Sequence, residues 1–265
     1  MRRRSRFPSK TIPWAFVNLI EPDPARRLKL RISYDRLAEL HPADIGGILE
    51  ELSRDERKAV VEGLDDETAA QAISEIPTHM QASILESIHP EKAADIVEEM
   101  SPDEAADVLQ ELPPETSAEL LADMEKHEAQ EVQKLLGFEE NTAGALMTTE
   151  FILVGEAATV EGAIAALKSF EGPVESVYFI YLIGSDGTLS GAVPLGRILL
   201  ATADTPLKDL SSDPLISVHA QADEREVIEL FRKYNLVALP VVSDQNHLLG
   251  VVTADDVLEL VVNRQ

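Results

Sequence analysis

The stretch IHPEKAADIVEEMSPDEAADVLQEL, residues 88–112, decides the fold of the first half of the chain. Its apolar residues Ile88, Met100 and Leu112 lie twelve apart, and Ile96-Val97 and Val108-Leu109 follow eight and nine positions after the first two. Working outward, Leu40, Leu52, Leu64, Ile76 and Met124 continue the same period. So do the second pairs Ile48-Leu49, Val60-Val61, Ala72-Ile73, Ile84-Leu85 and Leu120-Leu121. Twelve residues hold one helix of about two turns and a tight turn. The turns carry helix-start chemistry in His41-Pro42, His89-Pro90, Ser101-Pro102 and Pro113-Pro114, because proline at the first helical position loses no hydrogen bond. Ser53-Arg-Asp-Glu56 and Ser101-Pro-Asp-Glu104 read as capping boxes. Helices this short are unstable alone and must stack to bury their apolar stripes. The expectation is a compact right- or left-handed superhelix of short helices.

Charge divides the 265 residues unevenly. The chain carries a net charge of −25 and no cysteine. Residues 36–131 hold 26 acidic and six basic residues, whereas residues 1–35 hold three acidic and nine basic. A surface this acidic repels nucleic acid and anionic membranes, and it points to cations as partners. Without cysteine there is no disulfide framework, thiolate zinc site or thiol nucleophile. The basic start lacks an apolar h-region, so it is not read as a secretory signal, and no apolar run reaches the ~20 residues that span a bilayer. The expected location is cytosolic. In residues 1–35, Trp14–Ile20 and Leu28–Ile32 read as two short strands, a pair that is marginal in water by itself.

Residues 146–262 carry a mixed β-α-β-β-α unit twice. The second copy runs through Ile216–Val218, a helix over 223–234, a strand over 237–242, a turn over 243–247, a strand over 248–253 and a helix over 254–262. The first runs through 152–154, 160–169, 177–183, 184–187, 189–193 and 195–201. Val154 and Ile164 match Val218 and Ile228 at an offset of 64, and Gly187 and Gly191 match Asn246 and Gly250 at 59. In Gly250-Val-Val-Thr253-Ala-Asp255-Asp256, a small residue, a hydroxyl and an acid three residues later form a pattern suited to a nucleotide: Gly250 for close approach, Thr253 for phosphate and Asp256 for a ribose diol. That pattern resembles a CBS-domain pair, a cytosolic module that often binds adenine nucleotides. In the first copy Pro194 and Arg197 stand where the hydroxyl and the acid would be.

Together with the junction Asn141-Thr-Ala-Gly144-Ala-Leu-Met147-Thr, the acidic superhelix and the two CBS-like units resemble the cytosolic region of MgtE-type magnesium transporters and channels over residues 36–262. The implied fold is α+β and multidomain, with the superhelix right-handed. A strand-rich arm over 1–35, similar to the end of a PRC-barrel-like domain, precedes a helical domain over 36–137 and CBS units over 138–203 and 204–265. The resemblance implies a regulatory region that binds Mg²⁺ between the helical and CBS parts and so holds a closed, compact state. It places metal ligands at Asp103, Asp107, Asp256 and Glu259, with a backbone carbonyl at Gly144. Mg²⁺ suits such sites because it takes hard oxygen ligands and keeps several waters. Asn235 and Gln71 stand where the family can present acids, so some ion sites are expected to be missing. The resemblance also implies a homodimer through the CBS units. If the chain is a fragment, it implies a membrane pore domain as well; the alternative is a relative without a pore.

Two other readings compete. One is an adaptor that senses adenine nucleotide at Gly250, Thr253 and Asp256 and docks proteins on the superhelix. The other is an enzyme. The six histidines form no triad or ligand set, there is no Gly-x-Ser-x-Gly elbow and no phosphate-cradling glycine loop, so catalysis is not expected.

Overall fold

The computed structural model describes residues 19–22, 28–31, 37–170, 172–211 and 214–263. Trp14 and the rest of the first predicted strand before Leu19 lie outside these residues. Strands β1 (Leu19–Pro22) and β2 (Leu28–Arg31) pair antiparallel. By internal contacts the chain divides into two compact units, Met1–Met100 and Ser101–Gln265.

In the first unit the twelve-residue period becomes the helices Pro42–Glu51, Arg54–Gly63, Asp66–Ser74, Thr78–Leu85 and Pro90–Glu98. Ile45, Leu49, Val61, Ile73, Ile96 and Val97 are fully buried, and the anchors Leu64, Ile76, Ile88 and Met100 are nearly so. Helix Pro42–Glu51 packs on Asp66–Ser74, and that helix packs on Pro90–Glu98, so each stripe meets the next helix but one. The first contact is close enough to require glycine: a Cβ on Gly46 would sit 2.9 Å from the Glu75 Cβ and 3.0 Å from the Ala72 carbonyl oxygen. Both histidines at helix starts are followed by proline, yet only His41 caps, its Nδ1 accepting from Ala43 N–H at 3.2 Å. Lys92 closes the turn before helix Asp66–Ser74, donating to the Leu64 carbonyl at 2.7 Å and pairing with Asp66 at 2.5 Å.

The second unit opens with helices Pro102–Glu111, Pro114–Asp123 and Lys126–Leu135, which extend the repeat, with the first packed on the third. The capping box Ser101–Glu104 forms, as does Ser53–Glu56 in the first unit. Two β-α-β-β-α units follow. In the first, β3 (Ile152–Gly155) runs parallel to β4 (Phe179–Ile183), which pairs antiparallel with β5 (Leu189–Pro194). The second repeats this with β6 (Val218–His219), β7 (Ala238–Val242) and β8 (Leu248–Thr253). Both antiparallel pairs carry a register shift at the same place, Leu182/Ile183 and Val241/Val242. Both hairpins turn on a residue with positive φ, Gly187 at 83° and Asn246 at 61°, the pair that the offset of 59 matched.

The helices of this repeat are Val160–Lys168, Leu195–Leu200, Glu224–Tyr234 and Ala254–Asn263. A short helix over Leu207–Leu210, absent from the sequence reading, joins the units. Tyr181, Leu189 and Ala192 from one sheet share a core with Ala238, Val242 and Val251 from the other. Among the described residues no helix is long and apolar enough to cross a membrane.

Candidate functional site

The second unit collects carboxylates where the helical repeat meets the mixed units. Ser101 and Pro102 start helix Pro102–Glu111 and put Asp103 and Glu104 in its first turn. Asp103 is the unusual one. Its Oδ1 is enclosed and has no hydrogen-bond partner. Burial first, then the charges of Asp256 and Glu104, hold its carboxyl well above the usual carboxylate range, against the pull of hydrogen bonds at Ser101 and its own backbone.

Asp256 stands in the first turn of helix Ala254–Asn263. Its Oδ2 accepts from the Thr253 N–H at 2.9 Å and from the Thr253 hydroxyl at 2.6 Å. Those bonds lower its pKa, yet burial, with Asp255 and Glu104 adding repulsion, raises it to about 7. A divalent cation placed beside two such carboxyls would offset both the burial of charge and the repulsion that hold them from ionising.

Of the five residues expected to hold metal, the structure brings Asp103 and Asp256 into interaction. Asp107 lies one turn further along the helix of Asp103 and is exposed. Gly144 is buried in the junction, which hooks onto the second mixed unit through Ala143 N–H to Ala222 O at 2.8 Å and Gly144 N–H to Ala220 O at 2.9 Å. Glu259 falls within helix Ala254–Asn263, and its side chain lies outside the described residues.

Sequence reasoning missed three acids beside this pair. Glu150 is half-buried, and burial, then Glu104 and Glu131, raise its carboxyl to about 7. Glu131 accepts from the Thr149 hydroxyl and lies 3.8 Å from Lys134. No local spacing links residues 104, 131 and 150, so only the fold could reveal them.

A cleft opens next to Glu150, lined among others by Thr148, Tyr178, Tyr181, Ala238 and Thr253. Gly250 has a reason of its own here: a Cβ would come within 2.6 Å of Met147 and of the Thr148 carbonyl, where Thr148 bridges to Val251. The close approach is thus made by the preceding chain segment. In the first β-α-β-β-α unit the corresponding place is filled differently. Arg197 Nη1 donates to the Leu210 and Ser211 carbonyls at 2.9 and 3.0 Å, and Ser211 Oγ would lie 2.5 Å from a Cβ on Gly191.

Comparison with known proteins gives a consistent set of likenesses. Residues 40–141 match the model of the MgtE intracellular N domain, and residues 207–263 match the CBS domain. The magnesium transporter MgtE of Thermus thermophilus is 34% identical over 227 residues, covering 84% of this chain and 50% of that protein. The MgtE of Enterococcus faecalis is 36% identical over 134 residues, covering 51% of this chain and 30% of that one. The chain therefore spans half or less of the length of these curated relatives. The crystal structure of the soluble part of a magnesium transporter superposes with a TM-score of 0.78 at 30% identity, over 87% of this chain and 91% of that one. The cytosolic domain of the Mg²⁺ channel MgtE in complex with ATP gives 0.81 at 32% identity, over 86% and 93%.

Proposed function

Because the chain belongs to the MgtE family, with that family's helical domain and CBS pair, we propose that it is a magnesium-sensing regulatory region. In this reading Mg²⁺ binds the carboxylates of Asp103 and Asp256 and ties helix Pro102–Glu111 to helix Ala254–Asn263. The observation that carries it is the enclosed, unpartnered Oδ1 of Asp103, whose carboxyl feels the charge of Asp256. Asp107, Gly144 and Glu259 would complete the shell, with waters in the remaining positions. Removing the ion restores repulsion between the acids, so ion concentration biases an equilibrium between a closed and an open form. Cytosolic placement and control of a membrane pore for Mg²⁺ follow from the family as parts of the same proposal.

The test is small-angle scattering in EDTA and along a Mg²⁺ titration to ~20 mM, with K⁺ at matched ionic strength. The parent should contract with Mg²⁺ and not with K⁺, and the Asp103→Asn/Asp256→Asn variant should lose the response. Equal contraction in both salts would reduce the effect to screening, and an unchanged response in the variant would sink the assignment.

A second reading, compatible with the first, is an adenine nucleotide in the cleft beside Thr253. The cleft between the two CBS units and the ATP carried by a relative 32% identical to this chain favour it. Association into a homodimer through the CBS units is also proposed. Leu199 and Leu258, at matching positions of the two units, are 79% and 66% exposed, and Leu200 is 91% exposed, an apolar face suited to a second copy.

A further inference from the structure

Helices Asp66–Ser74 and Pro90–Glu98 pack on one another in the first unit, and each turns a row of polar residues outward. Glu67, Gln71 and Glu75 form one row at a spacing of four, and Glu91, Asp95 and Glu99 form the other. All six are exposed. Residues four apart share a helix face, and like charges at that spacing repel. The two rows also act on each other: burial first, then Glu67, Asp66 and Glu98, raises the Glu99 carboxyl above the usual range. The two helices carry a single cation, Lys92, and it is already engaged by the Leu64 carbonyl and Asp66. Among the described residues none of the five acids in these rows is in a salt bridge. A helix face left with repelling carboxylates suits a polycationic segment.

The chain carries such a segment. Met1-Arg-Arg-Arg-Ser-Arg-Phe-Pro-Ser-Lys10 holds five basic residues, and no acid occurs before Glu21. Residues 1–10 lie outside the described residues. Tethered to the same chain, they meet the helices at a high effective concentration, so several surface ion pairs worth up to ~1 kcal/mol each are enough to make a contact. We propose that residues 2–10 dock in cis on the acidic face of helices Asp66–Ser74 and Pro90–Glu98, a tethered polycation that shields these carboxylates from free cations. The contact goes beyond the magnesium reading and uses none of the residues assigned to that site.

Because the chain has no cysteine, Ser5→Cys and Gln71→Cys place one spin label in the basic segment and one, uncharged and exposed, in the middle of an acidic row. Double electron–electron resonance is measured on the whole chain, diluted into an excess of unlabelled chain, at ~0.1 M and ~1 M NaCl, where the Debye length is about 10 and 3 Å. The expected result is a population of short distances at the lower salt that falls by about threefold or more at the higher. At the lower salt, changing Arg2, Arg3, Arg4 and Arg6 together to Ser should cause the same fall, and so should Glu67→Gln with Glu91→Gln and Asp95→Asn. Glu115→Gln with Glu119→Gln, on helix Pro114–Asp123, should leave the distances unchanged. Distances indifferent to salt and to the arginine variant would overturn the proposal. An equal fall with the Glu115 and Glu119 changes would overturn the assigned face, leaving only attraction between net charges. Short distances of the same abundance with the two labels on different copies would replace the cis contact by one between chains.

Discussion

Thr253 donates both its backbone N–H and its hydroxyl to one oxygen of Asp256, at 2.9 and 2.6 Å. One carboxylate oxygen thus caps the start of helix Ala254–Asn263, and the other is the one that the proposed Mg²⁺ site would use. The two roles separate by mutation. Asn keeps an oxygen for the cap and removes the charge, so Asp256→Asn should fold with stability unchanged or slightly raised and lose its response to Mg²⁺. Asp256→Ala loses the cap as well and should cost about 1 kcal/mol. Denaturant unfolding in EDTA measures both, and equal stability of the two variants would contradict the cap.

Burial raises three carboxyls of the second unit, Asp103 well above the ordinary range and Asp256 and Glu150 to about 7. In the unfolded chain the same groups ionise near 4. Between about pH 4 and 7 the folded protein therefore holds more protons than the unfolded one, and stability falls as pH rises through that window. Above it Asp256 and Glu150 are charged in both states, and their part of the loss is complete. Thermal unfolding in EDTA should give a midpoint several degrees higher at pH 5.5 than at pH 8, since ~1 kcal/mol moves a domain of this size by about 2–4 °C. Saturating Mg²⁺ should recover much of the difference at pH 8. A midpoint that is flat or rises with pH would mean that these acids ionise freely.

How far the sequence could be read depends on whether a feature is local. The period of twelve places Val108 and Leu109 in the core because helical geometry alone sets which positions face inward, and both are buried. The match of Gly187 to Asn246 was legible because a positive φ selects the same few residue types in each hairpin. The expected strand over 177–183 begins at Phe179, because Val174–Ser176 turn as a 3-10 helix before it. Asp103 and Asp256 were reached through the family pattern. Glu150 was not, because its neighbours Glu104 and Glu131 come from two other helices and nothing in the spacing joins them.

Arg197 shows what replaced a nucleotide acid in the first CBS unit. Its guanidinium donates to the Leu210 and Ser211 carbonyls, a staple that would close this half-site and that the other half lacks. Calorimetry should accordingly find one nucleoside per chain, not two. Arg197→Ala should cost about 1 kcal/mol, the worth of two partly exposed charge-assisted bonds. Two nucleosides bound to the parent would show that the staple does not close the half-site.

Asn235 stands at a position where the family resemblance expects an acid, and its backbone ends a helix. The residue follows helix Glu224–Tyr234 with φ 51° and ψ 52°, the left-handed conformation that ends a helix. Its N–H donates to the Phe231 carbonyl, and the Leu236 N–H reaches the same oxygen at 3.2 Å. Asparagine and glycine tolerate this geometry, whereas a β-branched side chain meets the following carbonyl at a cost of roughly 1–2 kcal/mol. Asn235→Gly should leave stability within about 0.5 kcal/mol, and Asn235→Val should lower it by the larger amount. Asn235→Asp keeps the conformation and adds a charge, so it separates backbone from ligand roles. If that variant sharpens the Mg²⁺ response at unchanged stability, the asparagine was retained for the turn at the expense of an ion ligand. If the response stays the same, the position ends a helix and does no more.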